Sequence, residues 1–350
     1  MRNMASPSAQ RVAEDSEAHR AVTRISVIAP MLNEADHIEP FLADLAAQDF
    51  AGEIEVLIAD GGSTDGSVER LKDSIEGGGL DLRILSNPDG WVSHGLNTCL
   101  RQARGDLIVR LDCHSRYQPD YLRLCAQAAE ETGALAVGGV VIPQGRTAIE
   151  RAVACAMDSP FGGIGWTWIS DEETRRETDT VTYGAFRPEA FRRAGVFDEA
   201  LHRNQDDEMM LRIRRAGGRV ILDPAIKVYY TPRGSYRGVF RQYFQYGLWK
   251  VPVMLKHRQV LSARSLAPIA FVASLAVLVP AAAVSRVAGA VLATEVAAYA
   301  TGGLVFGTRS LRAHGEPLRL LPHVLAVYPT FHVAYGLGMV RGWLRAARRG

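Results

Sequence analysis

The sequence predicts an α/β fold built on a mainly parallel central sheet flanked by helices, followed by C-terminal transmembrane helices. Three observations carry this. Short β-branched runs alternate with helix-length stretches over the first half of the chain. The residues after each run are polar, as expected where a parallel sheet opens a ligand crevice beyond the carboxyl ends of its strands. Past residue 265 charge almost vanishes: between Ser265 and Thr308 only Arg286 and Glu295 are charged.

The strands are expected at Ile25 to Ala29, Ile54 to Ala59, Leu82 to Leu85 and Leu107 to Leu111, with helices near 34 to 48, 66 to 75 and 92 to 104. Pro30-Met31-Leu32-Asn33-Glu34 follows the first strand. Asp60-Gly-Gly-Ser63-Thr64-Asp65-Gly66 follows the second; it can turn on its glycines, cap the next helix with Ser63 or Thr64, and leave Asp60 to accept hydrogen bonds. Asn87, His94 and Asn97 follow the third, within reach of phosphate or sugar, although turn asparagines are more often structural. Asp112-Cys113-His114 follows the fourth and is expected to put a carboxylate and an imidazole on one side of an extended segment, where both suit one divalent cation. A further cluster, Arg203-Asn204-Gln205-Asp206-Asp207-Glu208, starts a helix with basic residues near its end. Capping and the helix dipole account for some of these acids, but three in succession exceed that need, and a carboxylate held at a helix N-terminus suits a general base.

At 350 residues, 47% hydrophobic and 22% charged, the chain is excluded from the disordered, collagen-like and disulfide-stapled classes. Its four cysteines show no zinc or C-x-x-C spacing, which reads as a reducing compartment. A net charge of +2 from balanced acids and bases offers no broad basic field, so no nucleic acid is expected as partner. The polar first twenty residues read as a disordered leader, not a secretory signal.

Two apolar runs, Leu266 to Ser285 and Val287 to Phe306, each approach the ~20 residues of a membrane-spanning helix and predict a helical hairpin. The alternative is a pair of buried core helices. Glu295 falls at mid-depth, where a carboxylate must pair, stay protonated or face protein. A third run, Leu320 to Val340, either spans or lies at the interface; basic residues flank it on both sides, and a surface-lying segment would keep both basic stretches inside. Ser235 to His257 interleaves Arg and Lys with Tyr, Phe and Trp249, as in a helix lying on lipid and guiding a lipid-linked acceptor, or one packed on the catalytic domain.

The ordered set Pro30/Asn33/Glu34, Asp60-Gly-Gly-Ser-Thr-Asp65, Asp112-x-His114 and Gln205-Asp206-x-Glu208 with Arg212 resembles the nucleotide-sugar-dependent glycosyltransferases of family 2, which have the GT-A fold. The likeness extends to their succinoglycan-type exopolysaccharide glucosyltransferases through Val109 to Ser115, Asn204 to Glu208, Arg241 to Gly247 and His332 to Gly338. It implies a leader (1–22), a catalytic domain (23–232), an amphipathic interfacial segment (233–264), a membrane region of two or three helices (265–340) and a basic tail (341–350). It implies an inverting hexosyltransferase moving glucose from a UDP-sugar donor to a lipid-linked saccharide acceptor, at the cell membrane with the catalytic domain cytoplasmic. Other polysaccharide-assembly proteins are implied as partners.

The resemblance also assigns roles. Pro30, Asn33, Glu34, Asp60, Ser63, Asn87 and Asp112 would hold the nucleotide sugar, with Asp60 on the base and Glu34 near the ribose. Asp112 and His114 would hold Mg²⁺ or Mn²⁺; His114 replaces the family's second Asp and favours Mn²⁺. Asp206 would be the base, with Asp207 the neighbouring candidate. Gly184, Gln205, Glu208, Arg212 and Trp249 would line the acceptor side, and the Gly- and Trp-rich Phe161 to Trp168 would form a loop over the donor. Processive members carry Gln-x-x-Arg-Trp, whereas this chain reads Gln242-Tyr-Phe-Gln245-Tyr246, so processive export is not implied. Transfer to polyprenyl phosphate, or a non-catalytic nucleotide-sugar-binding scaffold, stands as the alternative.

Overall fold

The computed structural model describes residues 19–162, 174–259 and 263–348. Most of the predicted leader, and all of the predicted donor-covering loop beyond Gly162, lie outside the described residues. In chain order the strands are β1 (Arg24–Met31), β2 (Glu53–Asp60), β3 (Asp81–Ser86), β4 (Leu107–Arg110), β5 (Ser115–Tyr117), β6 (Ala136–Pro143), β7 (Arg176–Glu177), β8 (Thr182–Phe186) and β9 (Val220–Tyr230). The helices are α1 (Ala35–Ala46), α2 (Ser67–Glu76), α3 (Val92–Leu100), α4 (Tyr121–Thr132), α5 (Ala148–Met157), α6 (Pro188–Ala194), α7 (Gln205–Arg215), α8 (Tyr236–His257), α9 (Ala267–Ala282), α10 (Arg286–Ala313) and α11 (Leu321–Ala347). They form two compact units: the described chain through Ile142 with Thr174–Tyr229, and Pro143–Gly162 with everything from Tyr230 onward.

The first unit is organised by one sheet of order β3-β2-β1-β4-β8-β6-β9-β5, with β7 pairing β9. The first four strands are parallel, as predicted. Five consecutive residues are buried in each of β1 and β2, all apolar except Ser26 and Glu55, because helices cover both faces of a parallel sheet. The second half turns antiparallel where β8 runs between β4 and β6. Strand β6 approaches β9 so closely at Gly139 that a Cβ there would meet the Ile226 carbonyl oxygen at 1.8 Å.

A buried carboxylate ties the parallel half together. Glu55 on β2 accepts from Ser26 Oγ at 2.5 Å, from the Arg104 N–H at 2.7 Å and from Arg83 Nη2 at 2.6 Å. Burial alone would raise its pKa, but these donors prevail and hold it below the usual value. The register pairs Met31 with Asp60 and Asp60 with Ser86, so the polar segments after β1, β2 and β3 leave the sheet at one edge.

The second unit is helical. A capping box between Thr147 and Glu150 starts α5, whose carbonyl at Cys155 accepts from Ser310 Oγ on α10 at 2.6 Å. Arg151 pairs with Glu316, and Asp158 meets His314 at 3.0 Å. These links group the segment after β6 with the C-terminal helices.

The predicted 233–264 segment forms α8, and its buried face of Val239, Tyr243, Gly247 and Val251 packs on α11. Glycines set that approach: a Cβ on Gly247 would meet the Tyr335 carbonyl oxygen at 2.1 Å, and one on Gly338 the Phe244 carbonyl oxygen at 2.1 Å. The first apolar run gives α9, at 16 residues shorter than predicted, because the helix ends at Ala282 and Ser285 caps α10. By length and composition α10, at 28 residues, can cross a membrane. Neither is a core helix, since Val277 and Val279 on α9 and Val287 and Val296 on α10 are all more than half exposed. Glu295 finds a partner in Ser274 Oγ, which donates to it at 2.5 Å. The third run is one continuous helix through Pro329 and extends to Ala347, past the predicted end at 340.

Candidate active site

The segments after β1 and β2 lock onto each other. Asn33 has a left-handed φ of 56°; its N–H donates to Ser63 Oγ at 2.8 Å, and its Oδ1 accepts from the Thr64 N–H at 2.9 Å. The Glu34 N–H donates to Ser67 Oγ and the Ala35 N–H to Asp65 Oδ2. Ser63 and Thr64 therefore do not cap α2 as predicted: they serve the neighbouring loop, and α2 begins after Gly66 at a φ of 92° without a side-chain cap. The Asp60 carboxylate accepts from the Gly62 and Ser63 N–H groups, each at 3.1 Å. Pro30 packs near α3, where a Cβ on Gly95 would come within 3.2 Å of it. Asn87 is buried, its N–H donating to the Asp60 carbonyl and its Nδ2 to the Trp91 carbonyl. Asn97 anchors the Phe197 main chain, which favours the structural reading of that asparagine.

After β4 the chain does not stay extended. The Ser115 N–H bonds the Asp112 carbonyl at 3.2 Å and closes a turn where an extended segment was predicted. Their side chains take separate partners. His114 Nδ1 lies 2.9 Å from Glu34 Oε1, and Asp112 accepts from Arg110 Nη2 at 2.9 and 3.1 Å. The Tyr117 hydroxyl receives the Asp112 N–H at 2.9 Å and steadies the turn.

Arg110 is the functional residue that residue-by-residue reading missed. Its side chain is 6% exposed, and while Nη2 holds Asp112, Nη1 donates to Asp206 Oδ2 at 2.7 Å. The guanidinium carbon lies 5.3 Å from the centroid of the Tyr183 ring. The signal was present: an arginine inside the apolar strand Leu107-Ile108-Val109-Arg110-Leu111 has to find carboxylates.

Helix α7 begins after Asn204, which has a left-handed φ of 60°, and its three acids separate. Asp206 goes to Arg110. Its Oδ1 is shut from solvent and has no hydrogen-bond partner among the described residues. Burial pushes this carboxyl up to about 6, although Arg110 pulls it down. Asp207 accepts from Thr180 Oγ1 at 2.9 Å. Glu208 is fully buried and pairs with Arg212, which reaches back to the Ala194 and Val196 carbonyls, so these two hold the 194–196 loop onto α7.

The other acceptor-side residues are dispersed. Gln205 is buried beside Asp206, and its Oε1 has no partner among the described residues. Gly184 sits where a Cβ would meet the Met210 methyl at 2.9 Å. Trp249 belongs to the helical unit, where it donates to Gln245 Oε1 at 3.2 Å and lies under Arg345. Phe161, the described start of the predicted donor loop, instead packs among Tyr299, Phe306, Tyr328 and His332.

At the strand ends the sheet unit thus holds two interlocked polar loops, a carboxylate–imidazole pair, and two carboxylates on one buried guanidinium. The chain shares 30% identity over 339 residues with the succinoglycan biosynthesis protein ExoA of Rhizobium meliloti, covering 92% of this chain and 96% of that protein. An undecaprenyl-phosphate 4-deoxy-4-formamido-L-arabinose transferase of Klebsiella pneumoniae shares 30% identity over 113 residues, 31% of this chain and 35% of that one. Among solved structures, the mannosyltransferase PcManGT of Pyrobaculum calidifontis, in complex with GDP-Man and Mn²⁺, superposes with a TM-score of 0.62 at 22% identity, over 94% of each chain. That likeness shows the GT-A fold. The glycosyl transferase family 2 model matches residues 26–201, and with the relative aligned over nearly the whole chain this protein belongs to that family and is a glycosyltransferase.

Proposed function

We propose that the protein is an inverting glucosyltransferase that moves glucose from UDP-glucose onto a polyprenyl-diphosphate-linked saccharide at the cytoplasmic face of the cell membrane. The observation that carries this is Asp206: one carboxylate oxygen is committed to Arg110, and the other is buried and unpartnered among the described residues. Oδ1 takes the proton of the acceptor hydroxyl as that oxygen bonds to the anomeric carbon. The bond from that carbon to the diphosphate breaks, and UDP leaves with the electron pair. One displacement inverts the centre, and no carboxylate nucleophile is required.

The interlocked loops of Asn33 and Ser63, with Asp60 and Asn87, bind the nucleoside. A divalent cation fits the donor types at the β4–β5 turn: Asp112 offers a carboxylate and His114 an imidazole whose Nδ1 lies 2.9 Å from Glu34 Oε1, the kind of outer partner that orients a metal-bound histidine. Mg²⁺ or Mn²⁺ held by Asp112 and His114 would offset charge on the departing diphosphate. Among the described residues no three His, Cys, Asp or Glu side chains cluster, so Asp112 and His114 would hold the cation together with the donor itself. The names of the Rhizobium and Klebsiella relatives, one from succinoglycan biosynthesis and one specifying undecaprenyl phosphate, support a lipid carrier. The apolar, exposed α10 supports a membrane location.

The test is metal-dependent UDP release from UDP-glucose by the full chain in membranes, with lipid-linked saccharide or polyprenyl phosphate supplied in parallel. Release that depends on the lipid-linked saccharide and collapses in Asp206→Asn, with UDP still bound, is the expected result. Release only with polyprenyl phosphate moves the acceptor to the bare carrier. UDP binding without release under any condition overturns the reading in favour of a scaffold.

A further inference from the structure

We propose that Arg110 is a positioning residue for the base: its forked guanidinium fixes Asp206 against Asp112 and selects Oδ1 as the oxygen that takes the acceptor proton. This rests on the reading of Asp206 as the base.

Arg110 is clamped from several directions. Nη1 and Nη2 point at different carboxylates, at 2.7 Å for Asp206 and 2.9 Å for Asp112. The Tyr183 ring lies beside its plane. Tyr183 is itself held in a left-handed φ of 54°, its carbonyl accepting from the Tyr121 hydroxyl and its hydroxyl from Ser115 Oγ, each at 3.0 Å. A β-strand residue in that conformation persists only where its surroundings over-determine it. A planar guanidinium seated this way fixes two carboxylates at a set separation, which a lysine ammonium, as a point charge, cannot do.

The two carboxylates serve opposite ends of the reaction. Asp112 belongs to the donor side, and Asp206 to the acceptor hydroxyl. Holding both on one rigid group makes the distance from the attacking oxygen to the anomeric carbon a property of the protein, not of two separately mobile loops. Because Arg110 occupies Oδ2, the remaining oxygen is the one left to take a proton. Remove the guanidinium, and two like charges face each other with nothing to stop Asp206 rotating out of register.

The test is a double-mutant cycle on kcat, at saturating UDP-glucose and metal, with the full chain in lipid nanodiscs. Its members are the native chain, Arg110→Gln, Asp206→Asn and the double mutant. Arg110→Gln is expected to lower kcat about 100-fold, as misplacement of a catalytic group by about 1 Å does, with acceptor KM changing less than threefold. In the Asp206→Asn background the same change should cost less than threefold, because the residue it positions is gone. Arg110→Lys should recover less than a tenth of the native kcat. Losses that multiply in the double mutant, or an unchanged kcat in Arg110→Gln, would overturn the proposal. Full activity in Asp206→Asn removes the base assignment itself, and is seen separately from any effect at Arg110. Should Arg110→Gln fail to fold, Arg110→Lys takes its place in the cycle, and should Asp206→Asn fall below detection, Asp206→Glu, whose carboxylate sits one methylene out of place, serves as the second background, where loss of Arg110 should cost less than in the native chain and losses that multiply overturn the proposal.

Discussion

His114 Nδ1 lies 2.9 Å from Glu34 Oε1, which ties the turn after β4 to the loop after β1 across 80 residues of chain. Breaking this pair should weaken metal-linked nucleotide binding without unfolding the protein. Removal of an outer partner of a metal-bound histidine usually costs about 10- to 100-fold in metal affinity. Glu34→Gln is expected near the lower figure and His114→Ala at or above the higher. The measurement is the Mn²⁺ concentration that half-saturates UDP binding in calorimetry. Unchanged Mn²⁺ dependence in His114→Ala would remove this residue from the ligand set.

Asp206 must be ionised to accept a proton, and burial pushes its carboxyl up to about 6. The rate of transfer should therefore fall on the acid side with a midpoint near pH 6, dropping roughly tenfold for each further pH unit.

The same raised carboxyl favours the protonated form in the folded chain. Its contribution to stability is complete below the ordinary aspartate value near 4 and is lost as pH rises through about 6. The ionised base thus weighs against folding at pH 8, by up to about 3 kcal/mol. Asp206→Asn, a neutral mimic that still accepts from Arg110, should melt higher than the native chain at pH 8. The difference should disappear toward pH 4.

Glu208 is fully buried on α7 and pairs with Arg212 four residues along. Glu208→Gln should be destabilising by roughly 3 kcal/mol, since one member of a buried ion pair is left uncompensated. Urea unfolding should show a lower midpoint at an unchanged slope. A kcat loss in this variant without any stability change would instead place Glu208 against the acceptor.

Gly338 lets α11 press its backbone onto α8, with no room for a Cβ beside the Phe244 carbonyl. Gly338→Leu should force the two helices apart and lower the thermal midpoint of the helical unit by several degrees. Gly315→Ala, outside this contact, should not match that loss.

Much of the fold was legible because its cause is local. The short, β-branched-rich runs of β1 and β2, interrupted only by Ser26 and Glu55, suit strands covered on both faces, and the polar segments after them gather at one edge because the strands run parallel. The runs after residue 265 likewise declared themselves as exposed apolar helices by length and lack of charge. Asp60, Asp112, His114 and Asp206 each stand just after a strand or at a helix start, and the family resemblance singled them out there.

Which side chain meets which was not written locally. Ser63 and Thr64 looked like caps for α2, but the left-handed turn at Asn33 in the loop after β1 captured them. Asp112 and His114, two residues apart, were drawn to different partners when the chain turned between β4 and β5. Arg110 and Asp206 are separated by 96 residues, and no period or spacing relates them. The sequence by itself determined the strands, the helices and the chemical inventory, because propensity and hydrophobic patterning act within a few residues. Only the tertiary structure decided the ion pairing, because a buried charge is satisfied by whatever the fold brings within hydrogen-bond reach.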